Sequence, residues 1–127
     1  MITPLYAALL ALFFVALSVR TLLLRRRKGI ALGTSGDETL TRAMRVHSNF
    51  AEYTPIALLL MFFLEQQAPG AAWIHVLGVA LLVGRMSHAW GVSQANENYR
   101  FRVAGMALTF FVIISAALRL LAGALFN

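Results

Sequence analysis

The sequence predicts an all-α integral membrane protein, a single four-helix bundle with up-down topology. Its 127 residues are 60% hydrophobic and only 13% charged, and the mean hydropathy is +0.75. A soluble domain is roughly half apolar and about a quarter charged. The apolar residues also form long blocks separated by short polar segments, which is typical of membrane spans. The length allows one domain, covering residues 1–127.

The first helix is predicted over residues 4–24, where Arg20 is the only charged residue. This block is long enough to cross a hydrocarbon core of roughly 30 Å at about 1.5 Å per residue. The basic run RRRK follows it directly, whereas a cleaved signal peptide carries its positive charges before the apolar run. We therefore expect a retained membrane helix.

Three further helices follow from the polar breaks. Residues 29–38 form a loop rich in glycine and short polar residues, and either Ser35 or Asp37 is placed to cap a second helix over 39–65. Pro69 and Gly70 mark a short turn before a third helix over 72–90. A second polar loop then leads to a fourth helix over 101–125.

The basic residues predict the orientation of the bundle. Ten of the eleven lie on or near one end: Arg20, Arg25, Arg26, Arg27, Lys28, Arg42, Arg45, Arg85, Arg100 and Arg102. Because cytoplasmic loops carry an excess of Lys and Arg, this end should face the cytoplasm, and both termini should lie outside. The same asymmetry accounts for the net charge of +6, so nucleic acid is not an expected partner.

The second helix carries a polar stripe near its cytoplasmic end. At about 100° per residue, one sector contains Arg42, Arg45, Asn49, Glu52 and Tyr53. His47 points roughly the opposite way. Ionisable residues inside spans usually face a cavity or a partner, although snorkelling to lipid phosphates is the simpler interpretation for Arg42 alone.

The third and fourth helices bring more polar residues to the same end. Arg85 and His88 share a helix face, and Arg102 begins the fourth helix. The chain has no cysteine, and its three histidines lack the spacing of metal ligands, so we expect no metal site. Guanidinium groups bind carboxylates, so the residues indicate a pocket for an anionic, polar ligand.

The segment RAMRVHSNFAEYTP, residues 42–55, resembles the helix-two signature of the MAPEG family, the membrane-associated proteins in eicosanoid and glutathione metabolism. That signature is approximately E-R-x-x-R-A-x-x-N-x-x-E-Y-x-P, and Thr41 stands where the family often has glutamate. The segments GRMSHAWG and YRFRVAGMALT resemble the third and fourth helices of the family.

The resemblance implies a homotrimer that binds glutathione as co-substrate between subunits, near the cytoplasmic face. Arg45, Asn49, Glu52 and Tyr53 would hold glutathione, with His47 contributed by the adjacent subunit. Further contacts are implied for Arg42, His88, Arg20 and Arg25. The catalytic arginine, which stabilises the glutathione thiolate, aligns best with Arg102, and Arg100 is the alternative.

The implied function is a glutathione transferase or peroxidase that acts on a lipophilic substrate from the bilayer. That substrate would enter between helices one and four of adjacent subunits. The compact form resembles bacterial members and implies an inner-membrane location. The helix-three tyrosines of eicosanoid-forming members are absent, with Val92 near one of them, which argues against leukotriene-type specificity. The alternative is a non-catalytic binding or scaffold protein whose pocket holds a lipid headgroup or small anion.

Overall fold

The computed structural model describes residues 1–126 as four antiparallel α-helices joined by three short connections. The helices are α1 (Thr3–Lys28), α2 (Glu38–Gln66), α3 (Ala71–Ser93) and α4 (Tyr99–Phe126). The all-α fold and the order of the helices are confirmed, and each helix extends beyond its predicted bounds. The largest extension is in α1, which continues through the basic run until Gly29 stops it in the left-handed conformation, at φ 66°.

Asp37, rather than Ser35, caps α2. Its Oδ1 accepts a hydrogen bond of 2.8 Å from the backbone N–H of Leu40, and its Oδ2 lies 2.7 Å from the ammonium nitrogen of Lys28. The hydrogen bond from Lys28, followed by that from Leu40, lowers the pKa of the Asp37 carboxyl below its usual range. One carboxylate thus ties the end of α1 to the start of α2.

Among the described helices, α1, α3 and α4 are long and apolar enough to cross a membrane. The second helix is the longest, at 29 residues, but the polar stripe in its first half leaves it without a stretch as apolar as those of the other three. It packs against the three apolar helices, and Leu40, Met61 and Leu64 from α2 are fully buried in the shared core. The chain is an integral membrane protein in which one helix combines a polar half with an apolar half.

Close backbone contact joins α3 to α4. A Cβ atom added to Gly105 would lie 2.6 Å from the carbonyl oxygen of Gly84 and 2.7 Å from the backbone nitrogen of His88. Only glycine allows this approach, because Cβ atoms do not occur at such distances. The contact fixes the polar end of α3 beside the first turns of α4.

The opposite end of the bundle contains the N-terminus, the end of α4 and the connection between α2 and α3. There the Glu65 carboxylate accepts hydrogen bonds from the backbone N–H groups of Ile2 and Thr3, so it caps α1 from the end of α2. The Tyr6 hydroxyl hydrogen-bonds His75 Nδ1 at 2.9 Å. His75 is therefore at the far end of the bundle from the polar stripe.

Candidate functional site

A cavity of about 400 Å³ opens between α2, α3 and α4 at the arginine-rich end. Its lining residues are Glu38, Thr41, Arg42, Arg45, Asn49, His88, Val92, Arg102 and Met106. Five of them are residues that the sequence predicts as binding or catalytic: Arg42, Arg45, Asn49, His88 and Arg102. The volume falls within the range of about 300–1,000 Å³ that small-molecule sites occupy.

Arg85 is buried beneath this cavity, with only 1% of its surface exposed. Its Nη1 donates to Asn49 Oδ1 at 2.6 Å, its Nε donates to Thr109 Oγ1 at 3.1 Å, and its Nη2 lies 3.3 Å from Met106 Sδ. The guanidinium carbon is also 6.0 Å from the centre of the Tyr53 ring. All these partners are neutral, so within residues 1–126 the buried charge has no paired carboxylate.

Glu97 is a buried carboxylate between two arginines of the cavity, and only 2% of its side chain is exposed. Arg102 donates to it twice, from Nε at 2.7 Å and from Nη2 at 2.6 Å. Arg42 donates from Nη1 to Oε1 at 3.0 Å. This two-point contact with Arg102 is a strong, charge-assisted geometry. Glu97 therefore neutralises part of the positive charge of the cavity.

Arginine still outnumbers carboxylate around the cavity. Arg42, Arg45, Arg85 and Arg102 lie in or beneath its wall, against Glu38 and Glu97. Glu38 is largely exposed, and it contacts Arg42 at 3.2 Å. The exposed Arg45 forms no ion pair with a carboxylate of the described chain. Because charges of one sign in a cleft reinforce each other, the cavity favours an anion.

Two residues of the predicted stripe lie outside this cavity. Glu52 is exposed on the outer surface of α2, and Tyr53 packs edge-on against Phe110, with their ring centres 5.7 Å apart. The cavity ends at Asn49, one helical turn before Glu52 and Tyr53. The sequence could not show this because the limit is set by the side chain of Arg85, which fills the space below Asn49.

His47 points away from the stripe, as helical geometry predicts. Its Nε2 is 2.9 Å from Ser18 Oγ, and its ring stacks on Phe14 with the ring centres 4.8 Å apart. It therefore lies on the side of α2 that packs against α1. Contact between His47 and a ligand in the cavity would require a second chain.

The two arginines of α1 that the resemblance implies as glutathione contacts, Arg20 and Arg25, do not line the cavity of their own chain. Arg20 donates to Ser93 Oγ at 2.9 Å and lines a separate groove. Arg25 donates to loop carbonyl oxygens, with distances of 3.2 Å to Ile30 and 2.8 Å to Gly33. Its role within the chain is to hold the connection between α1 and α2.

Between the two candidate catalytic arginines, Arg102 lines the cavity and the exposed Arg100 does not. The residues that the sequence interpretation left without a role are Glu97 and Thr109. The sequence places Arg85 on the same helix face as His88 but gives no sign that Arg85 is buried beneath the cavity. No group of three or more metal-ligating side chains is present in residues 1–126.

The fold and this cavity define a class: a four-helix integral membrane protein with an arginine-lined cavity at one end. The sequence model of the MAPEG family matches residues 3–122, and the chain belongs to that family. It is 35% identical over 114 residues to the inner membrane protein YecN of Escherichia coli strain K12, covering 90% of this chain and 86% of that protein. The YecN protein of Escherichia coli O6:H1 strain CFT073 matches with the same identity and coverage.

Proposed function

We propose that the protein is a glutathione-dependent membrane enzyme of the transferase or peroxidase type. Membership of the MAPEG family supports this, because the family includes glutathione transferases. The observation that carries the proposal is the buried Arg85, which has only neutral partners and lies beneath a cavity lined by three more arginines. A nearby anion would stabilise a buried charge of this kind, and glutathione supplies two carboxylates and a thiol that can ionise.

The arrangement also suggests where each part of glutathione binds. Arg45 lies at the open side of the cavity and has no carboxylate partner in the described chain, so it is available to a glutathione carboxylate. Asn49 is held by Arg85 and presents the rest of its amide to the cavity. Arg102, beside His88 and Met106, is assigned to the thiol.

Arg102 can stabilise a thiolate while Glu97 holds it. A guanidinium has five N–H donors, and Glu97 accepts from two of its nitrogens, Nε and Nη2. The Nη1 group remains for sulfur. A nearby cation lowers the pKa of a thiol, and the thiolate is the nucleophile.

Two reactions use such a thiolate. In a conjugation, the sulfur bonds to an electrophilic carbon and the leaving group departs with the electron pair of the broken bond. In a peroxidase reaction, two glutathione molecules are oxidised to the disulfide while the hydroperoxide is reduced to an alcohol and water. The lipophilic substrate would come from the bilayer.

We also propose a bacterial inner-membrane location with the cavity facing the cytoplasm, as the excess of arginine at that end supports.

The first test is a glutathione titration of detergent-purified protein, followed by the ultraviolet absorbance of the thiolate. We expect thiolate to form in the wild type and to be largely lost in Arg102→Ala, with glutathione binding weakened less than tenfold. Arg100→Ala serves as the matched control, because it removes the same charge two residues away and outside the cavity. Full thiolate formation in Arg102→Ala would overturn the assignment, and loss in Arg100→Ala would transfer the role to that residue.

The pairing of Arg102 with Glu97 favours a second candidate, a binding or scaffold protein that holds an anion without chemistry. In that case a carboxylate already neutralises the cation that would otherwise activate the thiol. Saturable glutathione binding without thiolate, and without turnover on any electrophile, would support this candidate. Failure to bind glutathione at all would indicate another anion, such as a lipid headgroup.

A further inference from the structure

A second groove lies on another face of the bundle, between α1, α3 and the start of α4. Its volume is about 780 Å³, and it shares no lining residue with the arginine-lined cavity. Leu17, Val83 and Met86 line its apolar part, and Arg20, Ser93 and Trp90 line its polar end. The groove therefore needs an explanation of its own.

Arg20 is the charged residue of this groove, and its hydrogen bonds are incomplete. Nη1 donates to Ser93 Oγ at 2.9 Å, but Nε and Nη2 are buried and have no partner in the described chain. Ser93 donates its own hydrogen to the carbonyl oxygen of Ala89, so its oxygen can only accept from Arg20. The groove lining contains no aspartate or glutamate. A cation with buried, unmet N–H groups and no counter-ion calls for an external anion.

The polarity of the groove has a direction. The helices α1 and α3 run parallel, and the groove lining becomes more polar along each of them towards the arginine-rich end. On α1 the lining changes from Phe13 to Arg20. Along α3 it changes from Val83 to Gln94, the residue that follows the helix. Trp90 stands 61% exposed at the polar end, a position typical of tryptophan at a membrane interface. The groove therefore matches an amphiphile that has its anionic head at the cytoplasmic side and its chain towards the bilayer centre.

We propose that this groove binds one anionic phospholipid of the surrounding bilayer. The phosphate would accept from Nε and Nη2 of Arg20 once the side chain turns towards the groove, because a guanidinium offers two parallel donors to a phosphate. One acyl chain would lie along Leu17, Val83 and Met86. The basic run from Arg25 to Lys28, at the end of the same helix, favours a headgroup with net negative charge over a zwitterionic one. This inference is independent of the proposed reaction with glutathione.

The two tryptophans make the site measurable. Trp90 lines the groove, whereas Trp73 packs against Phe111 near the opposite end of the bundle, with the ring centres 6.3 Å apart. In a Trp73→Phe variant, the fluorescence of Trp90 therefore reports on the groove alone. The protein would be reconstituted in phosphatidylcholine vesicles that contain either brominated phosphatidylglycerol or brominated phosphatidylcholine with the same acyl chains.

We expect brominated phosphatidylglycerol to quench Trp90 severalfold more strongly than brominated phosphatidylcholine at equal content, and to saturate. Arg20→Gln should remove most of this preference. Arg20→Lys, which keeps the charge but loses the two parallel donors of the guanidinium, should retain more of it than Arg20→Gln. Arg27→Gln is the control: it removes the same charge at an exposed position, but it is only one of the four charges of the basic run, so the preference should fall only slightly. Equal quenching by both lipids in the wild-type groove would overturn the proposal. So would an unchanged preference in Arg20→Gln, or an equal loss in Arg27→Gln, which would indicate general surface charge.

Discussion

At the scale of single residues, Glu97 determines how much arginine charge the cavity offers to a ligand. Its carboxylate contacts both Arg42 and Arg102, so it offsets part of the positive charge that would attract a glutathione carboxylate or thiolate. We expect Glu97→Gln to bind glutathione about tenfold more tightly, which corresponds to about 1.4 kcal/mol. Calorimetric titration of the purified protein would measure this change.

Glu38→Gln is the matched control for that experiment. Glu38 is exposed and contacts Arg42 but not Arg102, so we expect a change of less than about twofold, as is usual for an exposed ion pair. Weaker glutathione binding in Glu97→Gln would contradict the view that Glu97 limits the charge offered to the ligand. The carboxylate would then serve mainly to hold Arg102 in position, and its loss would let the arginine side chain leave the cavity.

Part of this site follows from sequence, and part does not. Helical periodicity correctly brings Arg42, Arg45 and Asn49 to one face, because it depends only on the angle between successive residues. Periodicity cannot give the depth at which a side chain is buried. It therefore predicts the helix face of Arg85 but not its position beneath Asn49. Glu97 lies in a loop, where no periodicity exists to relate it to Arg102.

At the scale of the helices, the contact between Gly84 and Gly105 sets the distance between Arg102 and His88. We expect Gly105→Ala to destabilise the protein by about 1–3 kcal/mol, because the new methyl group would overlap backbone atoms of α3 that cannot move aside. Glutathione binding should weaken with it, since the two cavity walls separate. Thermal unfolding in detergent, with and without glutathione, would measure both effects.

Gly123→Ala provides the control on the same helix. A methyl group there would meet only the side-chain atoms of Gln67, which can rotate away. We expect its unfolding temperature to stay close to that of the wild type. Equal unfolding temperatures for the two variants would show that α3 and α4 adjust easily and that the glycine contact does not fix the site.

The ends of the helices show what hydropathy can and cannot predict. The first helix was expected to end at residue 24, where the apolar block ends, but it continues to Lys28. Arginine and lysine are good helix formers, and the first residue that favours a stop is Gly29. Hydropathy thus marks the part of a helix that suits lipid, whereas the backbone hydrogen bonds continue until a terminating residue.

At the scale of the whole molecule, the uneven distribution of charge combines with the up-down topology. Because α1 and α3 end where α2 and α4 begin, one end of the bundle collects arginines from all four helices. The arginine-lined cavity and the Arg20 groove open on different faces of that same end. The charge asymmetry that predicts the orientation of the protein in the membrane also supplies both candidate anion sites.

The homotrimer remains a prediction, and the positions of His47 and Glu52 give a physical reason to expect it. Glu52 is an exposed carboxylate on α2 without an ion pair in the described chain, and His47 faces away from the cavity of its own chain. Charged residues at membrane depth usually face a partner. Native mass spectrometry from detergent should therefore detect an assembly of three 14.0 kDa chains.

Mixed assemblies test whether each site is shared between chains. If His47 of one chain completes the cavity that contains Arg102 of the next, His47→Ala and Arg102→Ala should each impair thiolate formation at every site. Co-expression of the two variants should restore it, because in a randomly mixed ring about a quarter of the interfaces pair an intact His47 with an intact Arg102. Separately purified variants mixed in detergent, without exchange of chains, are the control. Absence of recovery in verified mixed trimers would mean that each chain forms its site alone, with His47 serving only the packing of α1 against α2.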